Sequence, residues 1–169
     1  NTGAHSIAIG RDAFARNQFN IAVGYDAEAG NSLNSGNYAS AFGSESLAYA
    51  ARRIALGKSR SQGTDSFAAV ITNNTSSYGA TGSNSIAMGK QNKATATIST
   101  AVGGQNCVAS DNYAFASGNG STASGYASTS IGHSNTASEF YTVSTGGFAL
   151  ANLWGKKAHA SGAFGTVGD

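Results

Sequence analysis

Eleven times in 169 residues the chain returns to a five-residue element of the form Ser-x-Ala-x-Gly. It reads Ser6-Ile7-Ala8-Ile9-Gly10, Asn20-Ile21-Ala22-Val23-Gly24, Ala39-Ser40-Ala41-Phe42-Gly43 and Arg53-Ile54-Ala55-Leu56-Gly57. A degenerate copy, Ser66-Phe67-Ala68-Ala69-Val70, precedes Ser85-Ile86-Ala87-Met88-Gly89, Ser99-Thr100-Ala101-Val102-Gly103 and Ala114-Phe115-Ala116-Ser117-Gly118. The last three are Ser128-Thr129-Ser130-Ile131-Gly132, Thr142-Val143-Ser144-Thr145-Gly146 and Ala158-His159-Ala160-Ser161-Gly162. From Gly10 to Gly162 the closing positions recur about every 14 residues, stretched to about 19 before Gly43 and Gly89. So short a period means stacked units, each too small to bury its own apolar face.

Five residues after the glycine a small side chain recurs, at Ala15, Ala29, Ala48, Ala94, Ala123, Ala137 and Ala151. Thr75 and Val108 are variants, and the copy after Gly57 breaks the rule with Arg60 and Gln62. Each copy therefore reads as two short strands joined by tight turns, the glycine supplying a positive-φ position. Strand alternation sets Ile7 and Ile9 on one face and Ser6 and Ala8 on the other. A coil this small is expected to enclose one or two branched apolar side chains among alanines.

Stacked coils pair their backbones at about 4.8 Å, so eleven would stand roughly 50 Å tall. The absence of Pro suits this, since Pro within a strand removes a ladder hydrogen bond. No 3.6-residue apolar period survives the glycines, so helices are excluded. The expected fold is all-β, a parallel β-solenoid of about 14-residue coils. It is expected to be a single repeat domain over 1–169, with repeats from about 5 to 162, cut from a longer fibrous protein.

Composition removes other classes. A disordered chain rich in Gly and Ser lacks a regular apolar signal. Here 40% of the residues are hydrophobic, and they are regularly spaced. A net charge of +2 is too small to argue for nucleic acid. No run of 18 apolar residues exists, so no membrane insertion is expected. The single cysteine, Cys107, allows no internal disulfide and reads as a small buried hydrophobe.

The apparent catalytic motifs belong to the repeat. Gly57-Lys58-Ser59 has the tail of a phosphate loop, but Arg52 stands where the earlier glycine is required. Gly118-Asn119-Gly120 imitates a dinucleotide fingerprint with no helix to follow it. His5, His133 and His159 fall in separate coils, and the carboxylates are scattered. No catalytic residue, metal site, cofactor or enzymatic activity is expected.

The Ser-[Val/Ile]-Ala-[Ile/Leu]-Gly copies, followed by x-x-Ala-x-Ala, resemble the head repeats of YadA-type trimeric autotransporter adhesins, which also occur in bacteriophage tail fibres. The resemblance runs from about His5 to Gly162. It implies a left-handed parallel β-roll and a homotrimer around the fibre axis. Asn84-Ser85-Ile86-Ala87-Met88-Gly89 is similar to the element associated with collagen binding in such heads. Other copies depart from it: His5 precedes Ser6, Asn20 stands directly before Ile21, and late copies carry Ser or Thr at apolar positions. Residues 146–162, with Phe164 to Asp169, resemble the end of repeat regions in tail-fibre-like proteins, and a lone cysteine suits assembly in a reducing cytoplasm. The resemblance thus implies a module of a virion tail fibre, attaching to a host cell-surface glycan or protein. The alternatives are the head of a bacterial outer-membrane adhesin and a purely structural spacer.

Three features mark where contacts are expected. Extra residues around 30–37 and 73–83 lengthen two coils and are expected as loops on one side of the rod. Arg52, Arg53, Lys58 and Arg60, with Lys90 and Lys93, are candidates for anionic polysaccharide, or else solvated turn residues. Tyr78 and Trp154, with Tyr25, Tyr49 and Tyr126, suit stacking on sugar rings, or else packing at a subunit seam.

Overall fold

The computed structural model describes residues 3–30, 37–72 and 77–161. One sheet contains β1 (Ile7–Ile9), β3 (Ile21–Val23), β5 (Ser40–Phe42), β7 (Ile54–Leu56), β9 (Phe67–Ala69), β11 (Ile86–Lys90), β13 (Thr100–Gln105), β15 (Phe115–Asn119), β17 (Thr129–His133), β19 (Val143–Gly147) and β21 (Lys157–Ser161). The other contains β2 (Phe14–Ala15), β4 (Glu28–Ala29), β6 (Leu47–Ala48), β8 (Arg60–Ser61), β10 (Gly79–Ala80), β12 (Lys93–Ala94), β14 (Val108–Ala109), β16 (Thr122–Ala123), β18 (Thr136–Ala137) and β20 (Leu150–Ala151). Every pairing is parallel and joins each coil to the next, as in Ile7↔Ile21, Ala8↔Ala22 and Ile9↔Val23. This is the all-β parallel solenoid that the repeat predicts.

The interior is narrower than expected. The second residue of each first-sheet strand points inward, and the core includes the column Ala22, Ala41, Ala55, Ala68, Ala87, Ala101 and Ala116, all fully buried. It faces the second-sheet column of Ala15, Ala29, Ala48, Ala80, Ala94, Ala109 and Ala123. The branched residues lie outside: Ile7 is 49% and Ile9 58% exposed. The expectation of branched apolar side chains inside the coil is therefore corrected. Between the facing strands only alanine- and serine-sized groups fit, and parity sends the branched strand residues outward. Ile71, just after β9, is the one branched apolar side chain fully buried among the described residues.

The closing glycines follow from the same closeness. At Gly118, φ is 111°, and a Cβ would stand 2.0 Å from the carbonyl oxygen of Gly132 in the next coil. The register also corrects the last copy. Lys157 pairs with Val143 and Ala160 with Gly146, so the copy ends at Ala160, earlier than Gly162. No described strand stacks beyond Ala160, so a Cβ is tolerated there among the described residues.

Three second-half positions shift as well. Ala109, not Val108, faces inward, because Gly103-Gly104 adds a residue that bulges the pairing between Val102 and Gln105. Ser61 occupies the interior place between Arg60 and Gln62, in register with Ala48. Thr75 lies outside the described residues; Ala80 takes that place, in register with Ala94.

The bounds of the second long coil are corrected too. The first insertion falls between β4 and β5, and the second between β9 and β10. The strands flanking the first insertion lead from the second sheet to the first, and those flanking the second from the first sheet to the second. Residues 79–83 belong to β10 and the turn after it, outside any insertion. Residues 31–36 and 73–76 lie outside the described residues.

Three buried asparagines clamp adjacent coils. Asn135 Nδ2 donates to the carbonyls of Ile131 (2.7 Å) and Gly146 (2.8 Å), and its Oδ1 accepts from the Ala149 amide at 2.8 Å. Asn92 repeats this with Met88, Gly103 and Cys107. Asn20 bonds Arg16 and Ala29 and accepts from the Ala39 amide.

Candidate binding surface

The outer faces of the two sheets differ in chemistry. The first sheet's outward positions carry Ile7/Ile9, Ile21/Val23, Ile54/Leu56 and Ile86/Met88, all exposed or half-buried. With Phe42 and Phe67 on the strands between, these make an apolar face broken only at Ser40, and such a face marks an interaction surface. Farther along it becomes a mixed pattern, with Thr100/Val102, Phe115/Ser117, Thr129/Ile131 and Val143/Thr145 in register. The last strand offers Lys157 and His159, whose Nδ1 lies 3.0 Å from Thr145 Oγ1. The second sheet's outer face is mixed instead, with Glu28, Leu47, Arg60 and Lys93 along one row.

The basic residues are not brought together as a free cationic patch. Arg52 makes two bonds to the Asp65 carboxylate, at 2.5 and 2.8 Å, which lowers the Asp65 pKa. Lys58 Nζ meets Glu45 at 2.7 Å. Arg60 lies over the Tyr49 ring at 5.3 Å and Lys93 over Tyr78 at 4.9 Å. Tyr49 donates to Glu28 Oε2 at 2.9 Å, and its burial beside that carboxylate pushes its pKa up to about 12. Lys90 ends β11 and is exposed, paired in register with Gln105.

Arg53 departs furthest from the surface role. It stands at the first position of its copy, where five other copies have Ser, and is 2% exposed. Its Nη1 donates to the Ser61 carbonyl at 2.7 Å, and its Nε makes no hydrogen bond. Burial without a carboxylate lowers its pKa to about 9. The alanine core divides into two clusters at this coil, where Ser59, Ser61 and Ser66 join Arg53 inside.

One corner of the coil collects aromatic rings that residue type alone reveals only in part. Tyr113, Tyr126, Phe140, Tyr141 and Trp154 occupy the turns that enter successive first-sheet strands. Tyr126, Phe140, Tyr141 and Trp154 line an open hollow of about 380 Å³. Periodicity is the signal that could have found it: positions 126, 140 and 154 recur at the spacing of one coil. Trp154 and Tyr126 stand among the expected contact residues, whereas Phe140 and Tyr141 do not, and these two complete the feature.

Among the described residues no group of three or more His, Cys, Asp or Glu is placed to hold a metal ion. Cys107 is fully buried, with its Sγ 3.1 Å from the Gly118 carbonyl, and burial raises its pKa. His5 stacks on Phe19 and His133 meets Phe148 edge-on, two coil corners far apart in sequence.

Two stretches, residues 2–27 and 80–106, match the YadA head domain repeat. They hold four of the copies, including those with the most continuous apolar outer positions. No curated protein sequence matches the chain.

Proposed function

We propose, from the head repeats this chain carries, that it is a non-enzymatic module of a homotrimeric fibre that attaches to a host cell surface. The exposed apolar face of the first sheet is the observation that carries the reading. In the single chain Ile7 is 49%, Ile9 58%, Ile54 42% and Ile86 39% exposed. Such a row is unfavourable in water and relieved when three such faces meet. Closure by three copies is the assembly of YadA-type heads. The tightly stacked alanine core would then be a rigid scaffold for surface contacts.

The parent that the C-terminal sequence drift and the lone cysteine favour is a virion tail fibre. The second reading, the head of an adhesin on the bacterial outer surface, accommodates the same YadA head repeats equally well. Both place the module outside the cell and give it the same physical task. A spacer without ligand is the competing role. Whole-cell pull-down by the purified assembly separates attachment from spacing. Saturable binding at micromolar concentration is the expected result, and none to any cell that the full-length parent binds would make this part a spacer.

A further inference from the structure

The aromatic corner is packed in two opposite ways. At its start His5, Phe19 and Tyr38 stack face on face, centroids 5.2 Å apart and planes within 9° and 3° of parallel. The inner faces of such a stack cover one another. At its end Tyr126 meets Tyr113, Phe140 and Tyr141, and Phe140 meets Trp154, at interplanar angles of 65° to 83°. An edge-on contact puts the edge of one ring on the face of the other and so covers fewer ring faces than a stack does. Trp154 is 73% and Tyr141 56% exposed. Three other tyrosines carry a cation over the ring: Arg11 over Tyr25, Arg60 over Tyr49 and Lys93 over Tyr78.

We infer that this hollow is a carbohydrate subsite for a sugar bearing a carboxylate. The inference rests on the attachment reading above and names its ligand class. The hollow's volume is about 380 Å³, within the range of small-molecule sites, about 300–1,000 Å³. Four rings at one corner offer far less than the roughly 800 Å² per partner that a stable protein contact needs. Aromatic faces match the apolar C–H face of a pyranose ring. The charge stands next in the chain rather than in the hollow's own lining: Lys156, just after Trp154-Gly155, rests its Nζ 3.4 Å from Asn152 Oδ1, and with Lys157 it lines a second hollow beside Leu150 and His159. Between Asn152 and Ser161 there are two lysines and no carboxylate, with Glu139 the acidic residue beside Phe140. A carboxylate on the sugar suits that excess of positive charge.

Trp154 is the only tryptophan, so its emission reports on this corner alone. The whole chain is titrated with sialyllactose and oligogalacturonate as acidic probes, and with lactose and cellobiose as neutral ones. A saturable change with at least one acidic probe, about tenfold weaker with the neutral ones, is expected. Lys156→Gln should remove that preference, and Tyr141→Ala should weaken all binding about tenfold with an unchanged circular dichroism spectrum. No saturable change at millimolar sugar overturns the subsite. So does Trp154 emission that is already blue-shifted and shielded from acrylamide without sugar, because another copy then covers the corner. Cell binding separates the two readings. If Trp154→Ala and Tyr141→Ala bind cells as the parent chain does, the subsite fails and attachment stands; if the parent chain itself binds no cells, attachment fails.

Discussion

At most coils the closing glycine is present because the next coil's backbone lies within the reach of a Cβ; at Gly57 nothing lies within 4 Å and the positive φ alone asks for glycine. Gly118→Ala would force both a positive φ and a contact with the Gly132 carbonyl, and should cost at least about 2 kcal/mol. Val70 tests the converse, since it holds a closing position at φ 55° with an exposed, β-branched side chain. Val70→Gly should stabilise by about 1 kcal/mol. Guanidinium chloride midpoints measure both; opposite shifts are the expected pair. Arg53 gives a second residue-level test. Its guanidinium is inside the coil without a counter-charge, and the Ser61 carbonyl it meets also accepts the Tyr49 amide. Arg53→Met should raise stability by about 1–3 kcal/mol; a lower midpoint would mean that its single bond outweighs its desolvation. Residue type alone places Arg53 among surface cations, because nothing in the sequence distinguishes a buried first position from an exposed one when Ser usually fills it.

At the level of the coil, asparagine clamps add to the backbone ladder. In this column Asn135 serves three backbone groups, Ser121 reaches the Gly132 carbonyl at 2.9 Å, and Ala149 serves none with its side chain. Stability should therefore fall in the order Asn135, Asn135→Ser, Asn135→Ala, the last by about 1–3 kcal/mol because the Ala149 amide loses its partner. Thermal unfolding checks the order, and equal losses would contradict it. On the outer face of the second sheet, Tyr49 links β4, through Glu28, to the Arg60 side chain of β8. Its folded pKa, about 12, lies above the ordinary 10.0. Its stabilising contribution is therefore whole below the ordinary value and lost as pH rises through the folded one. Absorbance titration should show one late tyrosinate step that Tyr49→Phe removes. Two strands per coil and the parallel stack were legible in the sequence, because glycine spacing and small-residue columns encode them directly. The bulge at Gly103-Gly104 and the shifted last copy were not, since an added residue moves the register without changing the local pattern. Nor was the inward face: alternation separates Ile7 from Ala8 but does not say which side is inside, and coil width decides that.

For the whole molecule, these levels give a rod whose interior is complete and whose exterior is unfinished along one sheet. Its core of alanine and serine holds little buried apolar area, and apart from Ile71 its larger aliphatic residues stand exposed or half-buried among the described residues. A chain that buries so little on its own is marginal alone. The candidate surface was only partly legible for the same reason. Repeat positions revealed the columns but not which of them face outward, and the pairing of Arg52 with Asp65 and Lys58 with Glu45 depends on which turns stack. Association is thus the central claim, and sedimentation equilibrium of the 169-residue chain tests it most directly. The account predicts a single species with the mass of three 16.9 kDa chains, reduced to monomer when Ile9 and Ile54 are replaced by Asp. A stable, folded species of 16.9 kDa across the micromolar range would contradict it.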